Sequence, residues 1–174
     1  MLISEEYKQL NHQLHIEKES YGITGSKYAP RVAELVRQLK VETLLDYGCG
    51  KKTLAKALDN PQMNCPRVQI INHDPCVPGL EYKAPCELVT CTDVLEHIEP
   101  DMILNVLDDI AAMTQKAAFL AITTTPARKN LPDGRNAHLI QQPPEWWLPL
   151  IMERWRLVFF QVLGSEFIVI GGAK

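Results

Sequence analysis

Apolar positions along the chain follow two rhythms, short continuous runs and helical repeats, and their order sets the expected architecture. Ser4 to Lys18 is polar and helix-favouring, and Tyr21 to Lys27 interrupts it with turn residues. Val32, Leu35, Val36 and Leu39 then recur at helical spacing with charges between them, the pattern of a helix laid on a sheet. A first apolar run, Val41 to Leu45, ends at Asp46, and Gly48 and Gly50 follow before a helix carrying Leu54, Ala55, Ala57 and Leu58. Val68 to Ile71 and Leu88 to Thr92 are the next runs. Between them, Cys76 to Glu87 is broken by Pro78, Gly79 and Pro85 and is too short for a crossover helix plus a strand, so a shortened sheet edge is expected. An amphipathic helix from Asp101 to Gln115 puts Ile103, Val106, Leu107, Ile110 and Met113 on one face, and Ala118 to Thr123 gives another strand. Thr124 to Pro144 reads as a long polar loop, of the length that usually carries function. Pro144 opens a short helix through Leu150, which Pro149 is expected to end or distort. Arg156 to Leu163 and Glu166 to Ile170, parted by Gly164-Ser165, form a terminal hairpin.

Strands alternating with helices and closed by a hairpin predict an α/β fold: a doubly wound, mostly parallel sheet with a C-terminal antiparallel hairpin. The 174 residues, 46% apolar and 22% charged, fit one domain, with residues 1–27 as an N-terminal helix and arm and 124–150 as a loop and short helix beside the site. The net charge is only −3, and the basic residues are scattered apart from Lys51-Lys52 and Arg128-Lys129, which disfavours a broad grip on nucleic acid. No opening apolar run suggests a signal peptide or membrane span, so a cytoplasmic protein is expected. Cys49, Cys65, Cys76, Cys86 and Cys91 include no Cys-x-x-Cys pair and read as buried free thiols.

The segment Leu44-Leu45-Asp46-Tyr47-Gly48-Cys49-Gly50 carries the most chemistry. Gly48 and Gly50 let the backbone turn tightly and approach a ligand, and the Asp46 carboxylate can complement an ammonium group. A dinucleotide loop would carry glycine where Asp46 stands, because a carboxylate there repels pyrophosphate. A bare structural turn is the other reading. Asp74, closing the second run, stands where a doubly wound fold places an acid to hydrogen-bond ribose hydroxyls, although Asp before Pro is also an ordinary turn former.

Leu44 to Gly50, Asn72 to Pro75 and Leu88 to Ile98 resemble the class I S-adenosylmethionine-dependent methyltransferases, and Cys91-Thr92-Asp93-Val94-Leu95-Glu96-His97-Ile98 matches the segment after their fourth strand. The resemblance runs from Tyr21 to about Ile170. It implies a Rossmann-like sheet of about seven strands, shortened at one edge, with S-adenosylmethionine across the strand ends. Asp46, Gly48, Gly50, Asp74 and Asp93 are the implied cofactor contacts, and Tyr21 and Lys27 close over the cofactor from the N-terminal arm, with a plain surface charge as the other reading of Lys27. Lys52 stands where many members carry a further glycine, and Leu80 to Pro85 offers no acid for the adenine.

On the acceptor side, Asp93, Glu96, His97 and the distant His138 resemble the Glu-x-x-Glu-His cluster and later His of metal-dependent O-methyltransferases. The implied ion is divalent, Mg²⁺, Mn²⁺, Fe²⁺ or Zn²⁺. The competing reading has Glu96 and His97 lining a metal-free pocket. His138 has three readings: general base, metal ligand, or a loop residue satisfied by hydrogen bonds; His97 is the second catalytic candidate. Arg135 and Asn136 either orient an acceptor or sit in solvent, and Trp146-Trp147 reads as helix packing before an acceptor platform. The expected reaction is O-methylation of a small or saccharide-like hydroxylated molecule. One alternative is 2′-O-methylation of an RNA terminus, gripped by Lys27, Arg128, Lys129 and Arg135; another is a non-catalytic cofactor-binding subunit.

Overall fold

A computed structural model describes residues 1–174. Helix α1 (Glu5–Glu17) starts at Ser4, whose side chain accepts a hydrogen bond from Tyr7 N, and Glu5 and Glu6 face its positive end. Helix α2 (Gly25–Leu39) buries the stripe Val32, Ala33, Leu35 and Val36. There follow β1 (Thr43–Tyr47), α3 (Thr53–Leu58), β2 (Gln69–His73), β3 (Cys86–Thr92), α4 (Ile103–Met113), β4 (Thr114–Thr123), α5 (Pro144–Met152), β5 (Trp155–Leu163) and β6 (Glu166–Ala173). No helix is long and apolar enough to cross a membrane.

The strands form one six-stranded sheet in the order β2-β1-β3-β4-β6-β5. The first four are parallel, and β6 runs antiparallel to both β4 and β5. Side chains alternate across the sheet. Leu44, Leu88 and Phe119 pack under α2 and α3, while their neighbours Leu45, Val89 and Leu120 pack under α4 and α5. Covering both faces is why the central strands read as unbroken apolar runs.

Four expectations change. The sheet has six strands rather than about seven, because Cys76 to Pro85 turns back, with Asp74 N donating to Leu80 O at 2.8 Å, and supplies no strand. Helix α2 begins at Gly25, inside the expected turn; Gly25 packs on Leu54, where a Cβ would lie 3.0 Å from the leucine Cβ. Helix α4 starts two residues late behind a 3₁₀ turn, Pro100–Met102, and stops at Met113 because Thr114 already belongs to β4. Pro149 does not end α5, which runs on to Met152; Pro149 is exposed, so water can satisfy the carbonyl that its missing N–H would have bonded.

The arm between α1 and α2 is tied across the bend that follows β1. Lys51 N donates to Gly22 O at 2.8 Å, Lys51 Nζ reaches Lys18 O and Glu19 O at 2.8 Å each, and Lys129 Nζ reaches Ser20 O at 2.5 Å. Those carbonyls lie at the negative end of α1, which favours the two ammonium groups. Gly48 and Gly50 have φ of +77° and +49°. A Cβ on Gly50 would come within 2.5 Å of Gly22 O, and one on Gly48 within 2.3 Å of Val94 Cγ2. The bend is therefore bare because of the chain's own packing as well as its backbone angles. Gly48→Ala and Gly50→Ala should each cost about 1–3 kcal/mol in thermal or denaturant unfolding. Adding Val94→Ala to Gly48→Ala should recover the steric part of that loss and leave the part due to φ. A Gly50→Ala protein as stable as wild type would show that the arm does not rest on the bend.

Candidate active site

The cleft opens at the carboxyl ends of β1 and β3, where the strand order reverses, which is where open α/β sheets bind ligands. It encloses about 820 Å³, mouth included, and α1 covers it with Leu2 and Ile3 just ahead of that helix. Asp46, Gly48, Gly50, Asp74, Asp93 and Tyr21 all line it.

Asp46 lies within β1 and is buried at 2% exposure. Thr90 Oγ1 on β3 donates to its Oδ1 at 3.1 Å. Burial pushes its carboxyl up to about 7, against the Thr90 hydrogen bond, and Asp74 adds to the upward shift. Asp74 follows β2 and is held by two backbone amides, Gly50 N to Oδ2 at 3.0 Å and Cys76 N to Oδ1 at 2.9 Å. Lys52 takes a left-handed conformation (φ +58°) that a glycine would adopt without strain.

At the other end of the cleft β3 runs into Asp93, itself left-handed at φ +59° and pinned by its amide to Ala121 O at 2.9 Å. Thr24 Oγ1 donates to Asp93 Oδ2 at 2.8 Å and Thr123 Oγ1 to Oδ1 at 3.3 Å. Burial works upward on this carboxyl, but His97, the Thr24 hydroxyl and His138 together hold it below its ordinary value. His97 sits in a 3₁₀ turn (Leu95–His97), and burial lowers it to about 4, with Asp93 opposing and His138 reinforcing the shift. The His97 and His138 rings meet edge to face with centroids 4.7 Å apart. His138 Nδ1 lies 2.6 Å from Thr125 O and donates to it, which leaves Nε2 as the nitrogen with the lone pair in the neutral ring.

Asp93, His97 and His138 offer ligand atoms that all lie within 4.8 Å of one another. Glu96, expected in that cluster, is not part of it. Its Oε1 accepts Thr123 N at 2.6 Å, Oε2 is buried without a partner, and burial followed by Asp93 pushes its carboxyl far up. Lys27, expected over the cofactor, lies outside the cleft, with its ammonium on Glu166 at 2.5 Å.

Other loop residues are occupied elsewhere. Arg135 pairs with Asp133, and Asn136 staples the loop through Ala127 and the amide of His138. Trp147 is core, while Trp146 is 38% exposed. The sequence reading missed Tyr7, Asn11 and His15, which face the cleft from α1; their four-residue spacing on one helical face was the available signal. The hydroxyls of Thr24 and Thr123 left no comparable trace.

Among curated proteins none matches the sequence. Three solved structures share the fold. A 1,6-didemethyltoxoflavin-N1-methyltransferase from Burkholderia thailandensis, with 1,6-didemethyltoxoflavin and S-adenosylhomocysteine bound, is 15% identical at a TM-score of 0.62, over 100% of this chain and 92% of its own. The mitomycin 7-O-methyltransferase is 16% identical at 0.63, over 92% and 60%. A chain of the Pnkp1/Rnl/Hen1 RNA repair complex is 16% identical at 0.56, over 84% and 41%. The chain spans 56% of the length of two further matches, from Nostoc punctiforme and Burkholderia thailandensis. The model of the methyltransferase domain family matches residues 20–162, a span that holds the glycine bend, both buried aspartates and the histidine pair. The chain belongs to that family, within the class I S-adenosylmethionine-dependent methyltransferases.

Proposed function

We propose that the protein transfers the methyl group of S-adenosylmethionine to a hydroxyl of a small or saccharide-like acceptor. The observation that carries this reading is one cleft with a buried carboxylate beside a glycine bend at one end and the Asp93–His97–His138 group at the other. S-adenosylmethionine supplies an electrophilic methyl on a sulfonium. Asp46 meets the ammonium of its amino-acid part, and Asp74 meets the ribose hydroxyls. His138 Nε2, bare because Nδ1 donates to Thr125 O, takes the proton of the acceptor hydroxyl. Asp93, held ionised, offsets the positive charge that then forms on the imidazole. His97 stays neutral and limits the approach to His138. Helix α1 keeps water from the reacting atoms.

A second reading draws on the same three side chains. Two imidazoles and a carboxylate within 4.8 Å suit a divalent ion such as Mn²⁺, Fe²⁺ or Zn²⁺, and Mg²⁺ less well. The Thr125 carbonyl behind His138 is the outer partner that a ligating histidine normally has. Such an ion would bind the acceptor oxygen and lower its pKa. We favour the metal-free base, and a small acceptor over an RNA end. Lys27, Lys129 and Arg135, expected to grip RNA, are spent on Glu166, Ser20 O and Asp133.

Three measurements test this. S-adenosylhomocysteine should bind about tenfold more weakly at pH 6 than at pH 8 by calorimetry, because Asp46 loses its charge as pH falls through about 7. Asp46→Asn should flatten that dependence; a flat profile in wild type removes Asp46 from ammonium binding. His138→Ala should bind S-adenosylhomocysteine normally while turnover on a hydroxylated acceptor falls by about 10²–10⁴, and unchanged turnover would exclude His138 as the base. Protein stripped of metal by a chelator should keep full activity. Loss of activity restored by one divalent ion would establish the metal reading, and cofactor binding without product over a broad acceptor panel would indicate a non-catalytic subunit.

A further inference from the structure

The inward face of α1 carries Tyr7, Asn11 and His15 at four-residue spacing. The first two are satisfied within the protein: Asn11 Nδ2 donates to the hydroxyl oxygens of Tyr7 at 2.9 Å and Tyr21 at 3.2 Å. His15 is not. Its ring packs edge-on against Tyr21, centroids 4.7 Å apart, and sits on Gly22, where a Cβ would lie 2.6 Å from the imidazole Cε1. The side chain is 11% exposed, and its Nδ1 is buried without a hydrogen-bond partner. Nε2 stands 4.0 Å from Asp74 Oδ2, beyond hydrogen-bond range. Nδ1 lies against Gly22, 3.0 Å from where a Cβ would stand, so Nε2, facing Asp74, is the ring nitrogen open to a ligand.

The chemistry of that partner follows from Asp74. Each Asp74 oxygen already accepts one backbone amide and has further lone-pair capacity, so the carboxylate can take O–H donors but offers none. A diol held only by a carboxylate has its protons satisfied and its own oxygens unpaired. His15 supplies what is missing. Burial lowers its pKa, with Asp74 opposing and Lys51 adding to the shift, so the ring is neutral near pH 7, and the tautomer protonated at Nε2 donates to a diol oxygen.

We propose that His15 is a cofactor-binding residue that hydrogen-bonds the ribose diol of the donor from helix α1, across from Asp74. This rests on the S-adenosylmethionine reading of the cleft and adds to it a contact from outside the strand ends. The diol is thereby shared between the sheet and the helix that covers it.

The test is calorimetry with S-adenosylhomocysteine on the full chain. His15→Phe, which keeps a ring without its nitrogens, should weaken binding about tenfold, the equivalent of one hydrogen bond at about 1.4 kcal/mol. His15→Gln, which keeps a donor and an acceptor, should stay within about threefold of wild type. His15→Leu makes the same comparison as Phe with less bulk, and thermal melts confirm that the variants fold. Wild type should also prefer adenosine to 2′-deoxyadenosine or 3′-deoxyadenosine, and that preference should shrink in His15→Phe or His15→Leu. Wild-type affinity in both apolar variants, or an undiminished preference for the diol, overturns the assignment. Failure of wild type to bind S-adenosylhomocysteine at all would instead bring down the cofactor reading on which it rests.

Discussion

The close approach of two bare backbones, Gly22 on the arm and Gly50 on the bend after β1, fixes the geometry on which the cleft depends. With Lys51 N bonded to Gly22 O, the arm cannot lift at this point without losing a hydrogen bond that belongs also to the bend. Lys51 and Lys129 then hold the carbonyls of Lys18, Glu19 and Ser20 just past the end of α1, so the helix lies over the cleft. Its far end is fixed to the segment after β3: Ser4 N and Oγ both donate to Glu99, at 2.7 Å each. His12 Nδ1 meets Cys76 O between these anchors at 2.9 Å. The underside of α1 also packs on the long loop, through a small cluster of Tyr7, Leu14, Leu131 and Ala137. One helix thus touches both the Asp74 end of the cleft and the loop that carries His138.

The electrostatics of the cleft are arranged by unequal burial. Asp46 is stripped of water and given a single hydroxyl, so its charge is expensive. Asp93 is also largely removed from water, yet two hydroxyls and two imidazoles face it and keep it ionised. Glu96 goes the other way: fully buried beside Asp93, it is held by one backbone amide and favours its neutral form. The three carboxyls therefore favour different charge states, set by their partners.

Much of the fold was legible because its signals are local. Each central strand is a short apolar run, and the helices between them repeat at helical spacing, so element order and the hairpin could be read from Val41 onward. The glycine bend was equally readable, although half of its reason was not: the steric demand of Gly22 and Val94 comes from segments distant in sequence. The site divided along the same line. Asp46, Asp74 and Asp93 sit at strand ends and could be placed by position, whereas the direction a side chain takes at a turn could not. Glu96 and His97 are adjacent, yet only the imidazole joins Asp93 and His138, because the 3₁₀ turn sends the carboxylate to Thr123. Lys27 was misplaced because α2 starts before it and carries its ammonium to Glu166 on β6.

The missing edge strand shows how the cleft keeps its wall with less material. Where a further strand would flank β2, the segment after Asp74 turns back and reaches α4 through a single ion pair, Lys83 with Asp109. Tyr47, at the end of β1, donates its hydroxyl to the same Asp109 at 2.7 Å, and the Lys83 ammonium lies 5.3 Å from the Tyr47 ring centroid. His73 also packs against that ring, centroids 4.9 Å apart, with both its ring nitrogens unpartnered. Tyr47 lines the cleft, so the wall is a tyrosine braced by a charge pair instead of a hydrogen-bonded ladder. A ladder spreads its hold over many backbone bonds, while this brace concentrates it on Asp109. Both Lys83 and Asp109 remain about a fifth exposed, where solvent and salt weaken such a pair.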